Sequence, residues 1–399
     1  MKSIGTIVGT AFGIRLILLV LNSFFIQLPE SGKDDKRFEN LAWEWTTNPP
    51  GDNDGFYNSG AGLFIRCGTL LYDVIGRQPF IWGFLLVVMG TVAVNNIYKA
   101  ALLLWANKKQ ARRVAMIAAF YPELAMLSAL TLREVVIHFF LSLAVVELIK
   151  YWKYKNKTAL ISFLVYMGIS TLFHSAMVLG LAGFGLAILL ISQEGKKRSA
   201  FYKVAAFALV AGGLLFINFT GIGLSKFGGS FEGALVKFQT LEGSEALGTA
   251  AYPDWLRMSG GGGDLWKLPI RVVAFLYSPA LPPMVKSASH IVGVFDAFFY
   301  IYLSTILYKN RSTVKANKSA YVVGIIAIVL TVVFSLGVSN FGTAIRHRAK
   351  LLPLFLILAI DFKALRRSQR LQQQKKLALE EQQLKNIDFN DANIALKHQ

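Results

Sequence analysis

Two clusters of ionisable residues carry the types and spacing that chemistry would need. Asp34-Asp35-Lys36-Arg37-Phe38 sets paired carboxylates ahead of a cation and an aromatic ring, and Arg346-His347-Arg348 sets two guanidinium groups two residues apart. A carboxylate beside a hydroxyl can act as a general base, so the acidic pair Asp34-Asp35 is one place where such chemistry could sit. Side chains two apart on a strand or loop point the same way, so Arg346 and Arg348 would form a fork suited to phosphate or pyrophosphate. Arg133-Glu134 opens a long apolar run, where the helix dipole favours Glu134 but leaves Arg133 unexplained. Arg271 lies inside another apolar stretch and is a further phosphate candidate. Arg37, His174 and His347 are lesser candidates, His174 because it lies at the turn of an apolar hairpin. Any one of these could be a solvated loop charge or an interfacial anchor. Together they are harder to dismiss, because ionisable groups at the ends of apolar runs are expensive and tend to pair or to serve a site.

No His or Cys spacing typical of a metal site occurs, and no phosphate-binding loop of the Walker type is present. A divalent cation at the acidic pair is left open. The net charge of +19 and pI near 9.9 could suit nucleic acid, but the basic residues form no groove pattern. They fall in short clusters between apolar runs: Lys108 to Arg113, Lys150 to Lys157, Lys196 to Lys203, Lys309 to Lys318, and the tail from Lys363 to Arg370. With 54% hydrophobic residues and a mean hydropathy of +0.48, this is the positive-inside signature of a polytopic membrane protein.

The elements that would position the candidates are therefore membrane helices. A span needs roughly 17–25 apolar residues. Ten spans are expected, at 4–26, 80–105, 114–130, 134–150, 158–173, 175–192, 202–219, 289–308, 320–338 and 349–363. Ten crossings put both termini and every basic cluster in the cytoplasm. The fold class is all-α, with residues 1–363 in the membrane domain and 364–399 a polar tail, helical or disordered. Two segments, 27–79 and 220–288, are long enough to be functional loops on the opposite, periplasmic face. The first should form two amphipathic helices split by Asn48-Pro49-Pro50-Gly51. The second should hold a re-entrant or interfacial helix over Leu268–Leu281, after the polar Gly260–Gly263 run. Arg15 and Asp296 lie at mid-span depth, where a pair between them is expected. Trp43, Trp45, Tyr252 and Trp255 offer flat faces that could stack on a bound ligand or belong to an interfacial belt. Cys67 is the only cysteine, so no intramolecular disulfide can form. The first span lacks a cleavage site and is too long for a signal peptide. The composition suits a bacterial inner membrane.

One order of short motifs resembles a known family. Asp34-Asp35 precedes Arg37-Phe38; then come Phe56-Tyr57, Leu71-Tyr72-Asp73-Val74-Ile75-Gly76, Asn95-Asn96, Ala118-Ala119-Phe120-Tyr121-Pro122 and Leu132-Arg133-Glu134. This resembles the GT-C glycosyltransferases that use polyprenyl-phosphate sugars, among them the protein O-mannosyltransferases and the aminoarabinose transferase. Asp34 matches the Asp of that family's Asp-Glu pair, Asp35 stands where the Glu would be, and Phe38 replaces the usual Tyr. Arg346 to Pro353 resembles its late core segment. The likeness covers residues 1–190 and, more weakly, 340–363. It implies transfer of a sugar from a polyprenyl-phosphate donor to a glycan or lipid-linked acceptor, within the membrane and with no nucleic acid. Asp34 would be the base, and Arg346, Arg348 and Arg271 the clamp on the leaving phosphate. Leu132-Arg133-Glu134, Phe173-His174 and the arginine-rich end also resemble O-antigen and exopolysaccharide polymerases, which join whole lipid-linked repeat units. A flippase for lipid-linked oligosaccharides is a third reading, and predicts many mid-span charges.

Overall fold

A computed structural model describes residues 3–29, 31–51, 54–191, 251–257, 266–280 and 288–360, with isolated positions elsewhere. The expected span 202–219 and the Gly260–Gly263 run lie outside the described residues. The chain divides into two units, Met1–Ala359 and Ile360–Gln399, and every candidate site residue belongs to the first.

Among the described residues the regular elements are all helical. They are α1 (Ile4–Phe24), α2 (Asp34–Thr47), α3 (Gly60–Ile75), α4 (Pro79–Trp105), α5 (Lys108–Phe120), α6 (Pro122–Ala129), α7 (Glu134–Tyr154), α8 (Lys157–Phe173), α9 (Val178–Leu190), α10 (Leu268–Tyr277), α11 (Ala288–Lys309), α12 (Arg311–Ala316), α13 (Lys318–Leu336) and α14 (Phe341–Leu358). A single antiparallel bridge joins Ala251 to Asn340. In the centre, α4 packs on α1, α5 and α7, while α7 also packs on α8 and α14; α13 lies against α9, α10 and α14. The segment between α1 and α4 is a helix pair, α2 on α3, with Trp82 of α4 in ring contact with Phe64 and, edge to face, with Tyr72 of α3.

Local chemistry explains the helix starts. Asn107, Asn156 and Asn317 each accept a hydrogen bond from the backbone N–H three residues on, and each is followed at once by a lysine. Asparagine is a strong N-cap because it satisfies one of the orphan donors of the first turn. A lysine in that first turn opposes the helix dipole. The preference overriding the dipole is the bias of basic residues to one side of a bilayer. All three starts lie at one end of the bundle: Asn317 Nδ2 donates to Leu104 O at 2.9 Å, and Lys153 Nζ to Leu103 O at 2.9 Å. The 21 residues of α7 carry the chain from Glu134 at the other end to this basic end. At 1.5 Å per residue that is roughly 30 Å, the thickness of a bilayer's hydrocarbon core.

Four described helices, not ten, are long and apolar enough to span a bilayer: α1, α4, α7 and α13. Where described helices depart from the expected spans the causes are physical, while the expected span 202–219 lies outside the described residues. Pro122 forces Tyr121 out of helical geometry, so the expected span 114–130 is two short helices, α5 and α6, broken between them. The helices α8 and α9 have 17 and 13 residues and are too short alone. The last helix starts earlier than expected, at Phe341, because Asn340 caps it through the N–H groups of Gly342 and Thr343. That start brings Arg346, Arg348 and Lys350 inside the helix.

Candidate functional site

At the end of the bundle away from the basic turns, charges from three separate segments meet. Asp34 opens α2, Glu134 opens α7, and Arg346 lies in the second turn of α14. Arg346 bridges the two acids: its Nη1 lies 2.9 Å from Asp34 Oδ2 and its Nη2 3.5 Å from Glu134 Oε1. Lys350, one turn further along α14, lies 3.5 Å from the same Glu134 oxygen. Arg133 is adjacent, with Nη1 on the Phe173 carbonyl at 3.3 Å. Burial lowers its pKa, an effect partly offset by the Glu134 carboxylate. The site is graded in depth. Asp34's side chain is 42% exposed and Arg346's 20%, whereas Glu134 and Lys350 are buried.

The close approach of α3 to this region depends on Gly60, where a Cβ would lie 2.3 Å from the Phe173 carbonyl oxygen. The two histidines flank the cluster. The rings of His174 and His347 stand edge to face with centroids 5.2 Å apart, and both pack on Phe334.

Asp35 has a different role from Asp34. It is buried, and its two oxygens accept from Ser31 Oγ at 2.7 Å and from the Lys33 N–H at 3.0 Å, which holds the turn that starts α2. The two carboxylates therefore do not present a joint chelate for a divalent cation. Among the described residues, no three His, Cys, Asp or Glu side chains converge as a metal ion would require. Arg37 lies over the Phe56 ring at 5.0 Å, a cation–π contact that ties α2 to the turn before α3.

The expected arginine fork does not form. Residues two apart on a helix point about 200° apart, so Arg348 leaves Arg346 and enters the core. It pairs there with Asp296 and donates to the carbonyls of Phe275, Leu276 and Ser278, at the C-terminal end of α10. Arg271 is equally buried and donates to the carbonyls of Ser335, Leu336 and Val338, at the end of α13, and to Leu256 O. Arg15 does the same for α5, reaching the carbonyls of Ala118 and Ala119. Helix C-termini leave up to four carbonyls without intrahelical partners and carry partial negative charge. A buried guanidinium with five donors answers both needs. These three arginines hold helix ends, and neither Arg271 nor Arg348 joins the cluster. The expected Arg15–Asp296 pair is also absent, since Asp296 is taken by Arg348 and by the Tyr121 hydroxyl. Of the aromatic candidates, Tyr252 and Trp45 are buried and have no face to offer, whereas Trp43 and Trp255 are exposed.

Lys350 was not a candidate on sequence. Its signal was available: Arg346 and Lys350 are four apart and share a face once the segment is helical. Reading 346–348 as extended hid that face. Compared with known protein families, curated proteins and solved structures, the chain matches none of them. Its described elements are all helical, and four of them are long and apolar enough to cross a membrane.

Proposed function

We propose that the chain is a membrane glycosyltransferase, moving a sugar from a polyprenyl-phosphate carrier to a glycan or lipid-linked acceptor on the periplasmic face of a bacterial inner membrane, with both termini cytoplasmic. The observation that carries this reading is the meeting of Asp34 and Arg346, 312 residues apart in sequence, at the non-basic end of a membrane-type helix bundle. A transferase of this kind needs a carboxylate for the acceptor hydroxyl and cations for the departing phosphate. The acceptor oxygen attacks the anomeric carbon, its proton passes to Asp34, and the sugar–phosphate bond breaks with its electron pair leaving on the phosphate. Arg346, Lys350 and Arg133 supply the positive charge that stabilises that leaving group. Arg346 is held by Asp34 through a single oxygen, so an incoming phosphate competes for the guanidinium and releases the carboxylate. Asp35 positions Asp34 by bracing the turn beneath it.

The test is glycan transfer by Asp34→Asn and Arg346→Lys variants in membranes. Loss of a general base costs about 10²–10⁴-fold in rate, and Asp34→Asn is expected in that range at normal protein level. Arg346→Lys keeps the charge, loses the planar two-point geometry, and should lose most activity. Full transfer by Asp34→Asn would sink the proposal. The same cluster would serve a repeat-unit polymerase. The surface glycan of a deletion strain separates the two: one sugar is missing for the single-sugar transferase, and a single unpolymerised repeat remains for the polymerase.

A further inference from the structure

Behind the cluster, α6, α7 and α14 leave a cavity of about 10 Å³ between Leu124 and Leu127 on one side and Glu134, His138 and Lys350 on the other. Glu134 and His138 are four apart on α7 and so line it from one helix face. Each of these three side chains is buried and has a polar atom with no hydrogen-bond partner: Glu134 Oε2, His138 Nδ1 and Lys350 Nζ. Ser128 also lines the space, but its hydroxyl already donates to the Leu124 carbonyl at 2.6 Å. Buried polar groups are hydrogen-bonded in native proteins, and three of the residues lining this one space each carry an orphan. A water molecule needs roughly 10–15 Å³ and two to four polar partners.

We propose that this cavity is a binding site for a single ordered water, shared by Glu134, His138 and Lys350. The hydrogen-bonding capacities match. The Lys350 ammonium donates to the water oxygen, and the water's two protons go to Glu134 Oε2 and His138 Nδ1. The 3.5 Å separation of Lys350 Nζ from Glu134 Oε1 supports this, since a contact that long leaves the ammonium protons to be used elsewhere. Glu134 then divides its oxygens, Oε1 to the cations of the cluster and Oε2 to the water. A polar chain runs from the half-exposed Asp34 through Arg346, Glu134 and the water to His138 in the bundle interior. The inference is independent of whether the site transfers a sugar.

The test is water-edited solid-state NMR on the full chain in lipid bilayers, labelled with ¹⁵N-histidine. His138→Leu identifies the His138 signal among the chain's 5 histidines. Polarisation passing from water to His138 Nδ1, at the shift of a hydrogen-bonded acceptor nitrogen, is the expected result. A second measurement is an experimental density map fine enough to show waters, where one water should lie within hydrogen-bonding distance of all three atoms. Ala349 also lines the cavity, so Ala349→Val fills it. That variant should lose the water-to-His138 transfer and melt at a lower temperature, because it leaves three polar groups dry. A His138 nitrogen that receives nothing from water, or a map with Lys350 bonded directly to His138 Nδ1 or Glu134 Oε2, overturns the proposal. A higher melting temperature for Ala349→Val would do the same, since filling a dry cavity stabilises. Should Ala349→Val fail to fold, the spectra and map of the unaltered chain decide.

Discussion

Glu134 is the residue on which the charge balance of the site turns, and its removal makes a quantitative prediction. Its Oε1 lies 3.5 Å from both Arg346 and Lys350. At an effective dielectric of ~20, each such pair is worth about 5 kcal/mol of Coulomb energy, or about 9–10 kcal/mol for the two. Much of that is offset by the desolvation of a buried carboxylate, several kcal/mol per ion. Glu134→Gln keeps the size and removes the charge, which strands the Lys350 ammonium. The net loss expected for breaking a buried pair is about 3–5 kcal/mol. Lys350→Met should cost far less, about 0–2 kcal/mol, because it removes one attraction together with the burial cost of the ammonium. In the double variant no cation is stranded, so its loss should fall short of the sum by about 2–3 kcal/mol. Denaturation in mixed micelles, followed by tryptophan fluorescence, measures all four corners of the cycle. Losses that add to within about 0.5 kcal/mol would mean that the two groups do not sense each other, and the geometry described for the site would be wrong.

Arg271→Lys keeps the charge of a helix-end arginine but has one nitrogen to offer where the guanidinium reaches four carbonyls. Each charged hydrogen bond lost costs about 1.5–3 kcal/mol, so a destabilisation of at least about 3 kcal/mol is expected in the same micelle titration; an unchanged midpoint would show that those carbonyls need no arginine. The Cys67 residue is exposed, yet partial burial of its thiol pushes the pKa up, with Arg66 opposing. Because the thiolate is the nucleophile, alkylation should be slow at neutral pH and rise only above the ordinary thiol range near ~8.5; a rate already at its plateau at pH 7.5 contradicts this. In a Cys67→Ala background, cysteines placed at Lys109 and Lys155 should react with an impermeant reagent only after membranes are opened, whereas Cys67 in the parent reacts from outside. Labelling of those two positions in intact cells would reverse the orientation.

Much of the helical order is legible from local signals. The apolar runs give α1, α4, α7 and α13, and each Asn-Lys pair marks a helix start, because span length and capping depend on neighbours a few residues away. The proline of Tyr121-Pro122 is a local signal too, set within a continuous apolar run that by itself reads as one span. Asn340 is a helix cap only in retrospect. The polar and charged residues after it mask the helix, which tertiary partners for Arg346, Arg348 and Lys350 make affordable in the interior.

The site divides in the same way. The acidic pair marked Asp34, and charge in an apolar context marked Arg133, Glu134 and Arg346 as residues that must be satisfied somewhere, which is a property of composition and depth alone. It could not say by what. Arg271 and Arg348 carry the same signal and answer it with backbone carbonyls at the ends of α13 and α10, partners contributed by other helices. The guanidinium group binds a carboxylate, a phosphate or a helix end with similar donors, so the sequence determined that each arginine needs an anion or its equivalent. Only the packing of α14 against α7, with the start of α2 within reach of Arg346, decided that Arg346 faces two carboxylates while Arg348, two residues on and turned to the other side of the same helix, is locked into the core.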